Sequence, residues 1–330
     1  VLSNQQFERA RRLALSVAGI QLVERHRELL ERRSERCGIS SGAALESIVA
    51  AAENGDAGAT QEFIGLLTTR FTGFFRHPRH FEIAARHALQ VAGKRRRARL
   101  WSAGTATGEE AWSLAMALIE AFELDNPPVN ILATDVDVEA LAVAERSEYG
   151  ELSLKTLSPT RRERFLCDAE SLERCGSTQL SVSKARQMSD VSGASRSQSG
   201  VRAPQSPARV GLARQIRRRS ASEPLRIAPF VRRMVEFRAL NFADAEWQIE
   251  GPFDAILCRN VLMYFESGNR YAVLERMASL LAPGGLLLLD PTEHLGNAGH
   301  WFAPFAEGVY SRRLAARAPH RQRREYVGHR

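Results

Sequence analysis

The chain has 330 residues, 44% of them hydrophobic and 25% charged, with a formal net charge of +8. This is the composition of a globular protein with length for one large domain or two modest ones, and no apolar run approaches the ~20 residues of a membrane span. The positive balance suits an acidic partner, whether nucleic acid, anionic lipid or an acidic protein surface, without choosing among them.

Residues 3 to about 75 read as short helices. Phe7, Ala10, Leu13, Ala14 and Val17 recur at helical spacing, with Ser3 or Asn4 as the cap and Gly19 as the stop. "LVERHRELLERRSERCG", "AALESIVAAAENG" and "ATQEFIGLLTTRF" follow, and no β-rich run interrupts them. The exposed faces are expected to carry Arg9, Arg11, Arg12, Arg25, Arg27, Arg32 and Arg33, a basic surface that is either simply solvated or a docking face. The opening residues Val1 to Gln5 lack the charged and apolar regions of a signal peptide, so a cytoplasmic protein is expected. Cys37, Cys167, Cys175 and Cys258 have neither Cys-x-x-Cys nor zinc-like spacing, which reads as free thiols in a reducing compartment.

After about residue 94 strands and helices alternate. "ARLWSAG" and "VNILATDVD" are strands, followed by the helices "EEAWSLAMALIEAF" and "VEALAVAERSEYG". "VEFRALN", "FDAILCRN" and "GLLLLDP" are further strands, with the helix "NRYAVLERMASLLAP" before the last. This alternation predicts a mostly parallel sheet covered on both faces, an α/β fold. "HWFAPFAEGVYSRRL" reads as a terminal antiparallel hairpin. Between about 168 and 224 the pattern dissolves into Ser, Arg, Gln, Gly and Pro, which predicts a disordered insertion.

The chemistry concentrates at strand exits, where open α/β sheets bind ligands. Gly104 and Gly108 follow the first strand in a Gly-x-x-x-Gly spacing that is neither the dinucleotide fingerprint nor a P-loop. Glu109 and Glu110 occupy the first helical turn, so the positive end of that helix is already complemented and a pyrophosphate would meet like charge. A sulfonium nucleoside such as S-adenosylmethionine would not. Asp135 ends the second strand, where a carboxylate can accept from ribose hydroxyls, a role shared with NAD sites; Asp137 suits the cap of the next helix. Asn241 ends the third strand. Arg259 and Asn260 end the fourth, with Tyr264 four residues on, on the same face of a short helix, or else a packing aromatic.

Several stretches together resemble the chemotaxis receptor methyltransferase (CheR) family. They are "TTRFTGFFRHPRHF" (68–81), "WSAGTATGEEAWSLAMAL" (101–118), "ILATDVD" (131–137), "YGELSLKTLSP" (149–159), "VEFRALNF" (235–242) and "FDAILCRNVLMYF" (253–265). The resemblance implies a class I (Rossmann-like) methyltransferase domain over 94–330, a helical receptor-docking domain over 1–75, a linker helix over 76–93, and a small β-subdomain that holds the insertion. It implies methyl transfer from S-adenosylmethionine to glutamate side chains of chemoreceptor cytoplasmic bundles, leaving S-adenosylhomocysteine. Carried over by position, donor contacts would be Thr72, Arg76, Glu110, Asp135, Asn241, Phe242, Arg259 and Asn260, beside Gly104 from the turn, with Arg76 and Tyr264 facing the methyl and the acceptor carboxylate. No metal is expected, and a monomer is.

The chain departs from the family pattern in four places. Arg70 stands where the family has an Asn; "DPTEHL" replaces Gly-His-Ser-Glu but keeps Glu293; the basic second helix is shortened; and the insertion interrupts the subdomain that in some members tethers a receptor-tail peptide. These departures motivate a second reading, a donor-poor interaction module. The basic balance motivates a third, RNA methylation, although no stacking platform of aromatics accompanies it.

Overall fold

A computed structural model of the chain describes residues 2–39, 42–70, 72–93, 97–168 and 224–313. Most of the insertion and Cys175 lie outside the described residues. Among the described residues no helix is long and apolar enough to cross a membrane, and Cys37 and Cys258 are in no disulfide.

Four helices come first: α1 (Asn4–Ala18), α2 (Arg27–Arg36), α3 (Gly42–Glu53) and α4 (Ala57–Leu67). Ser3 starts α1 with a reciprocal capping box, its Oγ accepting from Gln6 N while Gln6 Oε1 accepts from Ser3 N. Gly19 stops it at φ 65°, where its N–H reaches the carbonyls of Ala14 and Leu15. Phe7, Leu13, Leu30, Leu45, Val49 and Phe63 form one apolar cluster among these helices. The basic face is smaller than the sequence suggests. Arg33 is buried, and its Nη1 donates to the carbonyls of Leu66 and Leu67, which end α4 and have no helical partners. Arg9 is tied to Glu46 and Glu53, and Arg27 to Glu24.

Helix α5 (Pro78–Ala92) leads into β1 (Ala98–Ala103), α6 (Glu109–Phe122), β2 (Val129–Asp135) and α7 (Val138–Arg146). A small unit follows, with β3 (Glu148–Tyr149), α8 (Glu151–Leu154), α9 (Pro159–Phe165), β4 (Leu166–Cys167), β5 (Leu225–Ile227) and α10 (Pro229–Arg232). The chain closes with β6 (Val235–Ala239), β7 (Phe253–Cys258), α11 (Ser267–Leu280), β8 (Leu281–Leu289), β9 (Phe302–Ala306) and β10 (Val309–Arg312). The main sheet runs β6-β2-β1-β7-β8-β10-β9, and β3-β5-β4 form a separate three-stranded sheet. Strands β6, β2, β1, β7 and β8 are parallel, while β10 runs antiparallel to β8 and β9 as the expected hairpin. This is the class I methyltransferase order, and its reason is visible locally. Strand β7 is buried at every position, and α6 buries eleven consecutive residues from Glu109 to Ile119, as an element covered on all sides must.

The small sheet is keyed to the first βα turn through one side chain. Tyr149 Oη accepts from Trp112 Nε1 at 2.9 Å, both rings lying in the core, and donates to the half-buried Thr107 carbonyl at 2.7 Å. Tyr149→Phe leaves the buried indole N–H without an acceptor, an expected loss of about 1–3 kcal/mol. Urea unfolding reads it as a lowered midpoint at constant slope; an unmoved midpoint would mean that water replaces the hydroxyl.

Candidate active site

Strand order reverses at β1, so β2 and β6 lie to one side and β7 and β8 to the other, which opens a crevice at their carboxyl ends. A cleft of about 980 Å³, open to solvent, occupies this position. Thr72, Arg76, Gly104, Glu110, Asp135, Asn241, Phe242, Arg259, Asn260 and Tyr264 all line it. The fold therefore brings together residues that are as much as 192 positions apart in the chain, from Thr72 to Tyr264.

The turn between β1 and α6 demands its glycines. Gly104 has φ 81°, and a Cβ there would stand 2.3 Å from Val261 Cγ2. Gly108 caps α6 at φ 94°, where a Cβ would meet that of Ala144 at 2.7 Å. Gly104 N and Thr105 N both donate to the Thr134 carbonyl. Ala106, itself at φ 49°, donates its N–H to Asp135 Oδ2 at 2.7 Å, and Asp137 N donates to Asp135 Oδ1 at 3.0 Å. The Val136 amide also reaches this carboxylate, which retains capacity for about one further donor. Burial pushes the Asp135 carboxyl above its usual range, with the amides of Asp137 and Ala106 pulling the other way.

The two carboxylates that open α6 differ in what they face. Glu109 accepts from Thr107 Oγ1 at 2.6 Å, and burial raises its pKa. Glu110 accepts from Ser102 Oγ at 2.7 Å and from Arg259 Nε at 2.6 Å, both partners of the ion pair being buried. Its charge, which the sequence assigned to the ligand, thus meets an internal guanidinium first. Arg259 also donates to the Arg76 carbonyl and lies 4.8 Å from the Phe81 ring centroid, so it links the exit of β7 to the segment before α5.

One further expectation is corrected. Asn260 and Tyr264 do not share a helical face: Asn260 sits at φ 60°, and only Leu262–Tyr264 form a single 3₁₀ turn. A run this short does not sustain i, i+4 geometry. Arg70, partly exposed, pairs with the start of α7. It donates to Asp137 through Nε (2.8 Å) and Nη2 (3.1 Å) and to Glu139 at 2.8 Å. Asp137 meanwhile caps α7 through Ala140 N. The second cation at the cleft is therefore matched by two carboxylates.

The helical region closes one wall of the cleft, which local sequence reading misses. Ala18 and Ile20 line it; Asn241 Nδ2 donates to the Val17 carbonyl at 2.7 Å, and Gln21 N to the Tyr264 carbonyl at 2.9 Å. Tyr264 Oη is hydrogen-bonded to Thr69 Oγ1. Gly19 is the one signal available, since a helix stop there frees the next residues to cross over to Phe265, whose ring would lie 3.2 Å from a Cβ at that position.

A sequence profile described as CheR methyltransferase, SAM binding domain, matches residues 70–182 and 206–326. The chain belongs to the CheR methyltransferase family. Three curated relatives match over nine tenths or more of their length. "Chemotaxis protein methyltransferase 2" of Pseudomonas aeruginosa is 29% identical over 313 residues, 94% of this chain and 93% of that protein. The "Chemotaxis protein methyltransferase" of Salmonella typhimurium is 30% identical over 314 residues, 94% of this chain and 91% of that protein. That of Klebsiella aerogenes is 32% identical over 317 residues, 94% and 90%.

S-adenosylmethionine is the cofactor of this CheR-family domain, and the residues present fit it. The glycine turn admits close approach, Asp135 keeps acceptor capacity at the end of β2, and Glu110 and Asp135 both line the cleft. Of the cleft's arginines, Arg70 and Arg259 are met by carboxylates, and Arg76 stands 4.0 Å from Asp290.

Proposed function

We propose that this protein transfers the methyl group of S-adenosylmethionine to glutamate side chains on the cytoplasmic helical bundles of chemoreceptors, forming methyl esters. The observation that carries the reading is the common cleft of Arg76 and Tyr264 with the residues proposed to hold the donor, in a chain about 30% identical over 94% of its length to chemotaxis protein methyltransferases. The division of labour follows: residues 1–75 dock on the receptor, 76–93 link, and 94–330 hold the donor and the reaction, with Thr72 and Arg76 reaching into that cleft from the segments before it. A basic helical surface with exposed Arg11, Arg12, Arg25 and Arg32 suits an acidic receptor bundle.

Asp135 is proposed to receive the ribose hydroxyls, Asn241 and Phe242 to border the adenine, and Thr72, Glu110, Arg259 and Asn260 to complete the donor site around Gly104. When bound, the donor supplies a methyl group on a positively charged sulfur. A glutamate with a pKa near ~4.3 is already ionised at neutral pH, so no general base is required. Arg76 holds one carboxylate oxygen and leaves the other to attack, while Tyr264, fixed by Thr69 and by its carbonyl's bond to Gln21, limits the approach. The task of the site is alignment at about 3–3.5 Å with water kept out.

The test is incubation with tritiated donor and a panel of receptor signalling domains, followed by alkaline treatment; label that appears on no receptor fragment, or that survives base, refutes the reading. Arg76→Ala removes a charge-assisted hydrogen bond to the acceptor, and about a 10- to 100-fold fall in kcat is expected. Tyr264→Phe, assayed in the same way, is expected to lower kcat by up to about tenfold.

A further inference from the structure

Beyond the last β7–β8 pair, Cys258 with Leu289, the sheet no longer holds the two strand exits together. A buried carboxylate does, beside a side-chain hydrogen bond between Asn260 and Asp290. Glu293 Oε2 accepts from Asn260 N at 2.9 Å and from Asp290 N at 3.1 Å, and Oε1 accepts from Met263 N at 3.3 Å. Glu293 is 6% exposed and is not among the residues that line the cleft.

The three donors it gathers are pointed ones. Asn260 is held at φ 60°, a region that a residue with a Cβ adopts at a cost and keeps only when its surroundings fix it. Met263 is the middle residue of the 3₁₀ turn that ends in Tyr264. Asp290 carries the carboxylate that stands 3.3 Å from His77 Nε2 and 4.0 Å from Arg76 Nη2. One side chain beneath the cleft thus holds the main chain on either side of Tyr264's turn and, through Asp290, stands one residue removed from Arg76.

We propose that Glu293 is a positioning residue for methyl transfer, which clamps the exit of β7 to the exit of β8 and so sets the orientation of Asn260 and Tyr264 without contacting donor or acceptor. The proposal rests on the reading of those two residues as part of the reaction site. Only an acceptor-only group suits the position: glutamine would turn an NH₂ group toward at least one of the three main-chain N–H donors. Burial raises the Glu293 pKa, while the amides of Asn260, Asp290 and Met263 oppose the shift.

The test uses the full chain and E293Q. Amide exchange at Asn260 and Met263 is expected to quicken by about tenfold or more, with β1 and α6 unchanged. S-adenosylhomocysteine affinity, by calorimetry, is expected to fall by less than about tenfold, while the single-turnover rate at saturating donor falls by about 50-fold or more. E293D, which keeps the charge but withdraws it by one methylene, is expected to move exchange and rate in the same direction. Unchanged exchange at Asn260 and Met263 overturns the proposal whatever the acceptor proves to be. So does a rate loss no larger than the unfolded fraction, with protection lost evenly through β7, β8 and α11. Should the wild type methylate no receptor, the proposed substrate fails while the exchange result still decides the role of Glu293.

Discussion

Gly104→Ala is expected to abolish calorimetric binding of S-adenosylhomocysteine at micromolar concentrations and to lower stability by about 2–5 kcal/mol. Two effects combine. A Cβ at φ 81° is strained by about 1–2 kcal/mol, and it would stand 2.3 Å from Val261 Cγ2, which forces the exit of β7 away from the turn after β1. Overpacking of this kind costs about 1–3 kcal/mol. Val261 is β-branched and adjoins Asn260, so it cannot simply swing aside. The displacement therefore passes to the cleft itself, and donor affinity suffers more than stability. Native affinity in the variant would show that the β1 turn does not seat the donor.

Arg259→Met is expected to destabilise the fold by about 3–5 kcal/mol, because it strands the Glu110 carboxylate in the core. The side chains of Arg259 and Glu110 are only 4% and 9% exposed, and Ser102 Oγ alone would remain to answer the charge. The loss exceeds the about 1–3 kcal/mol expected for Tyr149→Phe, since a neutral orphaned group is cheaper to bury than a charged one. Pairing Arg259→Met with Glu110→Gln removes the uncompensated charge and is expected to recover most of the loss. Urea midpoints of the two singles and the double check this cycle. A double variant no more stable than Arg259→Met would assign the stability to the link between Arg259 and the Arg76 carbonyl instead.

Much of the architecture could be read locally. The alternation after residue 94 carried the parallel sheet, Ser3 and Gly19 the limits of α1, and the Gly-bearing turn with its two carboxylates the preference for a sulfonium nucleoside over a dinucleotide. These features are legible because caps, turns and buried strands impose their demands on residues close together in the chain. Side-chain direction was less legible. Arg33 reads as one more exposed arginine in a basic helix, yet it ends α4 from a distance of more than thirty residues. Arg70 reads as a stray cation, yet Asp137 and Glu139 lie within reach only once α7 is packed beside it.

What the sequence determined by itself was the fold class and, through the motifs shared with the CheR family, the ligand, because backbone period and turn glycines act over a few residues. What only the tertiary structure decided was which charges meet: Glu110 with Arg259, Asn241 with the end of α1, and Glu293 with the amides beyond β7 and β8. Those pairings form between different strand exits, or between a strand exit and α1, in segments separated by as many as 224 residues. No local pattern records them, because each partner's preference for the other arises only when both leave water together.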